Sequence, residues 1–251
     1  MRFVALASAL ALAACASGPR LDERQRAFLG EAAEPSQVIA TDLAFARAAR
    51  ERGQWTAFRE FAGEGAVIHQ DGGPTPAAAW LARQRDPKIP LQWTPTALWS
   101  SCDGQTTVTH GTSRYPDGIW GRYVTVWERQ RDRSHRWVYT VGAADPALTE
   151  RQRQRAEAVT QEDGVILVRA FDDIRAEVGQ CGKRDTRPAH RAPILPEGVR
   201  GATRYASDGT LAWRWEQDVG GARRLLVDLL QNGKWGEVLR FELSPANQVV
   251  P

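Results

Sequence analysis

Lysine is almost missing from this 251-residue chain: Lys88, Lys183 and Lys234 stand alone, and every other basic residue is Arg. Methionine occurs once, histidine four times and cysteine three times. So few scattered soft ligands exclude a zinc-ribbon or multi-metal protein, and no metal or cofactor is assigned. His69-Gln70-Asp71 is the nearest approach to a ligand set and falls short of one. Excess charge of one sign is also missing: 33 Lys plus Arg face 30 Asp plus Glu, a net charge of +3, which leaves no electrostatic footprint for nucleic acid. No Walker loop, dinucleotide fingerprint, HExxH or Gly-x-Ser-x-Gly elbow is present. With 42% hydrophobic residues and 10 Trp, the chain can bury a core, so disorder throughout is excluded.

The apolar run MRFVALASALALAA, residues 1–14, is too short to span a bilayer and reads as a signal peptide. It ends in Leu12-Ala13-Ala14-Cys15, which resembles the bacterial lipobox, whose Cys becomes the lipidated first residue. That resemblance implies an exported protein held in the cell envelope by acyl chains on Cys15, with residues 15–34 as a tether. Ala16 in place of Asp resembles lipoproteins sent to the outer membrane, facing the periplasm. Export to an oxidising compartment leaves two outcomes for Cys102 and Cys181: a disulfide closing a long loop, worth about 4 kcal/mol, or two separate buried thiols.

Ser36 after Pro35 predicts an N-cap for a helix over 37–52 that is ended by Gly53. Its apolar face holds Val38, Ile39, Leu43, Phe45, Ala46 and Ala49, with Asp42 in the middle. A short helix over 54–61, a strand over 66–69 and a helix over 75–84 follow. Strands are expected at 93–99, 106–113, 119–130 and 136–142, with Tyr123, Thr125 and Trp127 on one face of the third. The stretch 148–161 reads as a connecting helix and 183–197 as loop. Strands over 202–206, 210–217, 223–231 and 235–243 then form a β-meander with an Asn232-Gly233 hairpin.

Two helices, a strand, a third helix and an antiparallel sheet over 36–145 resemble the nuclear transport factor 2-like superfamily, which includes ketosteroid isomerase and the SnoaL polyketide cyclases. The stretches AFARAARERGQWTAFREFAGEGAVIH, Leu91-Gln92-Trp93-Thr94-Pro95 and GRYVTVWERQRDRSHRWVYTVG look like a branch found in exported bacterial proteins. The resemblance implies an α+β fold in which a cone-shaped curled antiparallel sheet packs on three helices, here followed by a small C-terminal antiparallel β-meander. The expected organisation is a signal peptide (1–14), the lipidated Cys and tether (15–34), a SnoaL-like domain (35–146), a linker (147–200), a meander domain (201–244) and a tail (245–251).

The cone of that superfamily encloses a pocket, and its enzymes work with a buried carboxylate base and hydroxyl donors. Asp42 is the candidate base, with His69 and Tyr123 as supporting catalytic groups and His110, Trp127 and Tyr139 as pocket lining. The last strand, Trp137-Val138-Tyr139-Thr140-Val141-Gly142, lacks the carboxylate that SnoaL-like cyclases place there, so binding is favoured over turnover. Asp145 comes only afterwards, before Pro146. Three functions stay open: an envelope lipoprotein that binds a small apolar ligand or a protein partner, an isomerase- or cyclase-like enzyme using Asp42, and a scaffold that forms a homodimer through its sheet. Trp213 and Trp215 share one side of a strand and are expected to bury against the meander rather than offer a sugar-binding platform.

Overall fold

Pro35 fixes the backbone angle of a first helical residue and opens α1 (Pro35–Arg52), so the helix begins one residue before Ser36, which lies inside it and not at its cap. The computed structural model describes residues 33–161, 174–182, 187–246 and 248–250. The expected signal peptide, Cys15 and most of the tether lie outside these residues. Val38, Asp42, Phe45, Ala46, Ala48 and Ala49 form the buried face of α1. Leu43, expected on that face, is 42% exposed, because the helix is turned so that Ala48 is buried instead.

Gly53, at φ +108°, separates α1 from α2 (Gln54–Phe61). The backbone N–H groups of Trp55 and Thr56 and the Thr56 hydroxyl all donate to the Asp86 carboxylate, which caps α2 from 30 residues away. A Cβ at position 53 would collide with that carboxylate, so glycine is required by both φ and space.

Strand β1 (Ala62–Gln70) is longer than expected at its start and turns into β2 (Gly73–Pro76). The expected 75–84 helix shrinks to α3 (Ala77–Leu81), because Pro76 holds Thr75 in extended conformation and the N-terminal turn is lost to β2. Strands β3 (Gln92–Ser100), β4 (Thr106–Arg114), β5 (Trp120–Arg129) and β6 (His135–Ala144) follow in antiparallel register. Asp145 accepts from the Leu148 N–H at 2.7 Å and so caps α4 (Pro146–Gln161), with Pro146 at its first position. Inside the expected linker, β7 (Arg175–Val178) pairs in parallel with β3. The result is a seven-stranded mixed sheet ordered β2-β1-β6-β5-β4-β3-β7, in which β1–β6 and β3–β7 are the parallel pairs.

Strands β8 (Arg200–Tyr205), β9 (Leu211–Gln217), β10 (Arg223–Gln231) and β11 (Lys234–Leu243) form a second, antiparallel sheet of four strands. Asn232 and Gly233 both adopt positive φ, as the tight β10–β11 hairpin requires. This sheet packs against the large one around Trp99, Val108, Val124, Val126, Tyr139 and Val141 on one side and Leu211, Trp213, Leu225, Val227 and Phe241 on the other. A second core, with Val38, Phe45, Leu81, Trp93, Leu98, Trp127 and Trp137, fills the opposite face beneath α1, α2 and α3. The fold is thus α+β, with one mixed sheet, one antiparallel sheet and few helices. None of the described helices is long and apolar enough to cross a membrane.

The Asp103-Gly104 and Asp208-Gly209 turns meet: the Asp103 N–H donates to Asp208 at 2.9 Å and the Ser207 hydroxyl donates to Asp103 at 2.8 Å. Beside them Cys102 and Cys181 stand at disulfide distance, with Cα atoms 5.2 Å apart and a sequence separation of 79. Replacing both by Ser releases a long loop in the unfolded chain. The double variant is expected to lose about 2–4 kcal/mol in chemical denaturation, and an unchanged midpoint and slope would contradict the linkage.

Candidate functional site

Because β3, β5 and β6 each carry large aromatics toward the helices, the helices cannot close flat on the sheet, and a cavity of about 410 Å³ remains. Phe45, Trp55, Phe58, Trp80 and Trp93 form its aromatic wall. Phe45 meets Trp93 edge-on at 4.7 Å between ring centroids, and Trp55 meets Trp80 edge-on at 4.9 Å. Ile68 and Leu91 continue the apolar surface. Gln54, whose side-chain carbonyl accepts from the Leu91 N–H at 2.8 Å, holds the loop that carries Leu91 in place. The polar part of the lining comes from His69, Ser113, Tyr115, Tyr123, Thr125 and Thr140, together with Arg223 from the second sheet. Asp71 and Gly72, both exposed, mark the mouth.

Asp42 lies behind this wall. It is 1% exposed and is not part of the lining. Trp93 Nε1–H donates to one carboxylate oxygen at 3.0 Å and the Tyr123 hydroxyl donates to the other at 3.1 Å, with the Thr109 side chain also bonding to it. Burial pushes its pKa up to about 6, and these three donors limit the rise. The Tyr123 phenol, which lines the cavity, is driven upward by its own burial and by the adjacent Asp42 charge. The structure therefore brings Asp42 and Tyr123 together but covers the carboxylate with the side chains that bind it.

His69 lines the cavity at the end of β1 and is 3% exposed. Its Nδ1 lies 2.5 Å from the Tyr139 hydroxyl. Burial and the positive charges of Arg223 and Arg200 lower its pKa to about 4, against an opposing contribution from the Gln217 side chain. His69 is neutral at pH 7. Its Nε2 is buried without a well-formed hydrogen bond.

The three expected lining residues lie elsewhere. His110 faces the second sheet, edge-on to Phe241, and burial lowers its pKa to about 4. Trp127 faces the helices but is fully buried below the cavity floor, its Nε1–H donating to Thr109. Tyr139 belongs to the core between the sheets, packed on Trp213. A bulge in β6 explains this last displacement: Trp127 pairs with Trp137 and Val126 with Tyr139, so Val138 is extra and residues two apart on β6 face opposite ways. Trp213 is buried against Tyr139, and Trp215 meets His69 edge-on at 5.3 Å, so neither offers an open platform. Among the described residues, no group of three or more His, Cys, Asp or Glu is placed to hold a metal.

Sequence reasoning did not single out Trp55, Trp80 or Arg223, and considered Asp71 only with His69 and Gln70 as an incomplete ligand set. The first two stand on short helices where aromatic spacing could have placed them together. Arg223 opens an ordinary strand, and nothing local marks it. No family model matches the chain, and no curated protein matches it either.

These buried groups set opposing pH dependences. A carboxylate whose folded pKa is raised binds its proton more tightly in the native state, so Asp42 costs stability as pH rises from about 4 to about 6. His69 and His110 are lowered to about 4, so the unfolded chain binds more protons and their contribution is lost as pH falls from 6.5 toward 4. Asp42→Asn removes only the first effect. Urea denaturation from pH 4 to 7 should show a steeper rise of stability with pH in the variant, with a relative gain of roughly 2–3 kcal/mol at pH 7 less whatever the altered hydrogen bonds cost. Parallel curves for variant and wild type would contradict the raised Asp42 pKa.

Proposed function

We propose that this chain is a binding protein of the bacterial envelope, whose cavity beneath α1 and α2 takes a small, largely apolar ligand. The carrying observation is the 410 Å³ aromatic-walled cavity with a few polar groups in its lining. Its volume and composition are those of a small-molecule site. Asp42, in contrast, has no access to the cavity contents except through Tyr123, which disfavours its use as a base in direct contact with substrate. The face of the large sheet that a dimerising scaffold would need is occupied by the four-stranded sheet, which weighs against the scaffold reading. The helix-strand order and the cavity's place between helices and sheet fit a nuclear transport factor 2-like cone, with the second sheet as an addition to that plan. Attachment to the membrane through Cys15 and export are part of the same proposal and rest on the N-terminal sequence.

The neutral fluorophore N-phenyl-1-naphthylamine tests the site. One-to-one saturable binding to the intact chain is expected, and Ile68→Trp, which fills the cavity, should weaken it at least about tenfold, equivalent to 1.4 kcal/mol. Absence of saturable binding would overturn the reading. For the anchor, Cys15→Ser should move the protein from the membrane fraction to the soluble one, and unchanged fractionation would overturn lipidation.

A further inference from the structure

One feature of the cavity does not suit a purely apolar ligand. Arg223, the first residue of β10, crosses from the second sheet to the cavity wall with 2% exposure, so a full positive charge is buried beside aromatic surface. Its Nη1–H donates to the His69 carbonyl at 3.0 Å, and its Nη2 lies 3.0 Å from the Asp71 carboxylate. Fastening the β1–β2 turn does not by itself require a charge, since Gln217 Nε2–H already donates to the Asp71 carbonyl at 2.8 Å. The Asp71 side chain is 67% exposed at the mouth, where water screens its pairing with the guanidinium.

We propose, building on the binding reading above, that the ligand is an apolar molecule bearing one carboxylate, which binds against Arg223 and His69 with its hydrocarbon body along Trp55, Phe58 and Trp93. Asp71 occupies the guanidinium in the empty protein, and the ligand acid takes its place while the Asp71 side chain turns to water. A carboxylate is preferred to a neutral head group because exchanging one carboxylate for another preserves the charge pairing of a buried cation. One charge is preferred to two because a phosphate would set its second charge against Asp71 in a cavity with one guanidinium in its lining. His69 joins the same face as a neutral ring. The potential there is positive, as the action of both Arg223 and Arg200 on His69 shows.

Calorimetric titration of the intact chain with 2-naphthoate and with 2-naphthamide at pH 7 separates charge from shape. The acid is expected to bind at least about tenfold more tightly than the amide. Asp71→Asn, which removes the competing carboxylate and leaves Arg223 in place, should tighten the acid several-fold and so widen its preference over the amide. Arg223→Gln should abolish the preference for the acid while the amide still binds; a failure of that variant to fold leaves the other two comparisons decisive. Equal affinities for acid and amide, or weaker acid binding in Asp71→Asn, would overturn the carboxylate assignment and leave the apolar site standing. Absence of binding by both compounds would overturn the site along with it.

Discussion

Strands β5 and β6 carry large apolar side chains on both faces, and the rest of the architecture follows from the need to cover both. Val108, Val124, Val126 and Tyr139 project to one side, and Tyr123, Trp127 and Trp137 to the other. A half-solvated sheet with this pattern would expose a large apolar patch. The helices cover one face and the four-stranded sheet covers the other, so the two sheets share a single core. The pattern also fixes the register, because a slip of one residue would send every valine to the aromatic face. Bulges at Thr96 and Val138 tune it locally, as the shifts in the β3–β4 and β5–β6 pairings show.

On the helix side, one buried carboxylate organises the contact. Asp42 ties α1 to β3 through the Trp93 indole and to β5 through the Tyr123 hydroxyl, so three elements distant in sequence share one ion. Its desolvation is offset by three directed donors, which also hold Trp93 and Tyr123 as fixed walls of the cavity. The same bonds that make the carboxylate tolerable keep it away from anything in the cavity. This is the physical ground for separating a raised pKa from a catalytic role: proton affinity without access does not make a base.

The cavity is composite. Its aromatic wall comes from the helices and β3, His69 from β1, and its permanent cation from the second sheet. Through Arg223 and Gln217 the second sheet is fastened to the turn at the cavity mouth, so ligand entry, the β1–β2 turn and the packing of the two sheets are mechanically connected. The joined Asp103 and Asp208 turns bind the sheets at another point, and beside them the Cys102–Cys181 pair ties the end of β3 to the end of β7 within the large sheet. A cavity bounded by elements fixed to one another in this way is preorganised, which suits recognition.

The sequence alone determined the elements whose signals are local: the helix ended by Gly53, the alternation of β5, the Asn232-Gly233 hairpin and the conflict posed by Asp42 on an apolar face. Those follow from side-chain periodicity, backbone preference and the cost of burying charge, and neighbours in sequence suffice to reveal them. Where α3 begins, and that Tyr139 and Trp137 face opposite ways, depended on a proline-bounded edge strand and a bulge, each set by pairing with a remote strand. Tertiary structure alone decided that Cys102 meets Cys181, that His110 faces the second sheet, and that Arg223 reaches a cavity whose other lining residues all lie more than eighty positions earlier. The physical reason is the same throughout: one residue's chemistry is written locally, but burial, field and partner are properties of whatever the folded chain brings beside it.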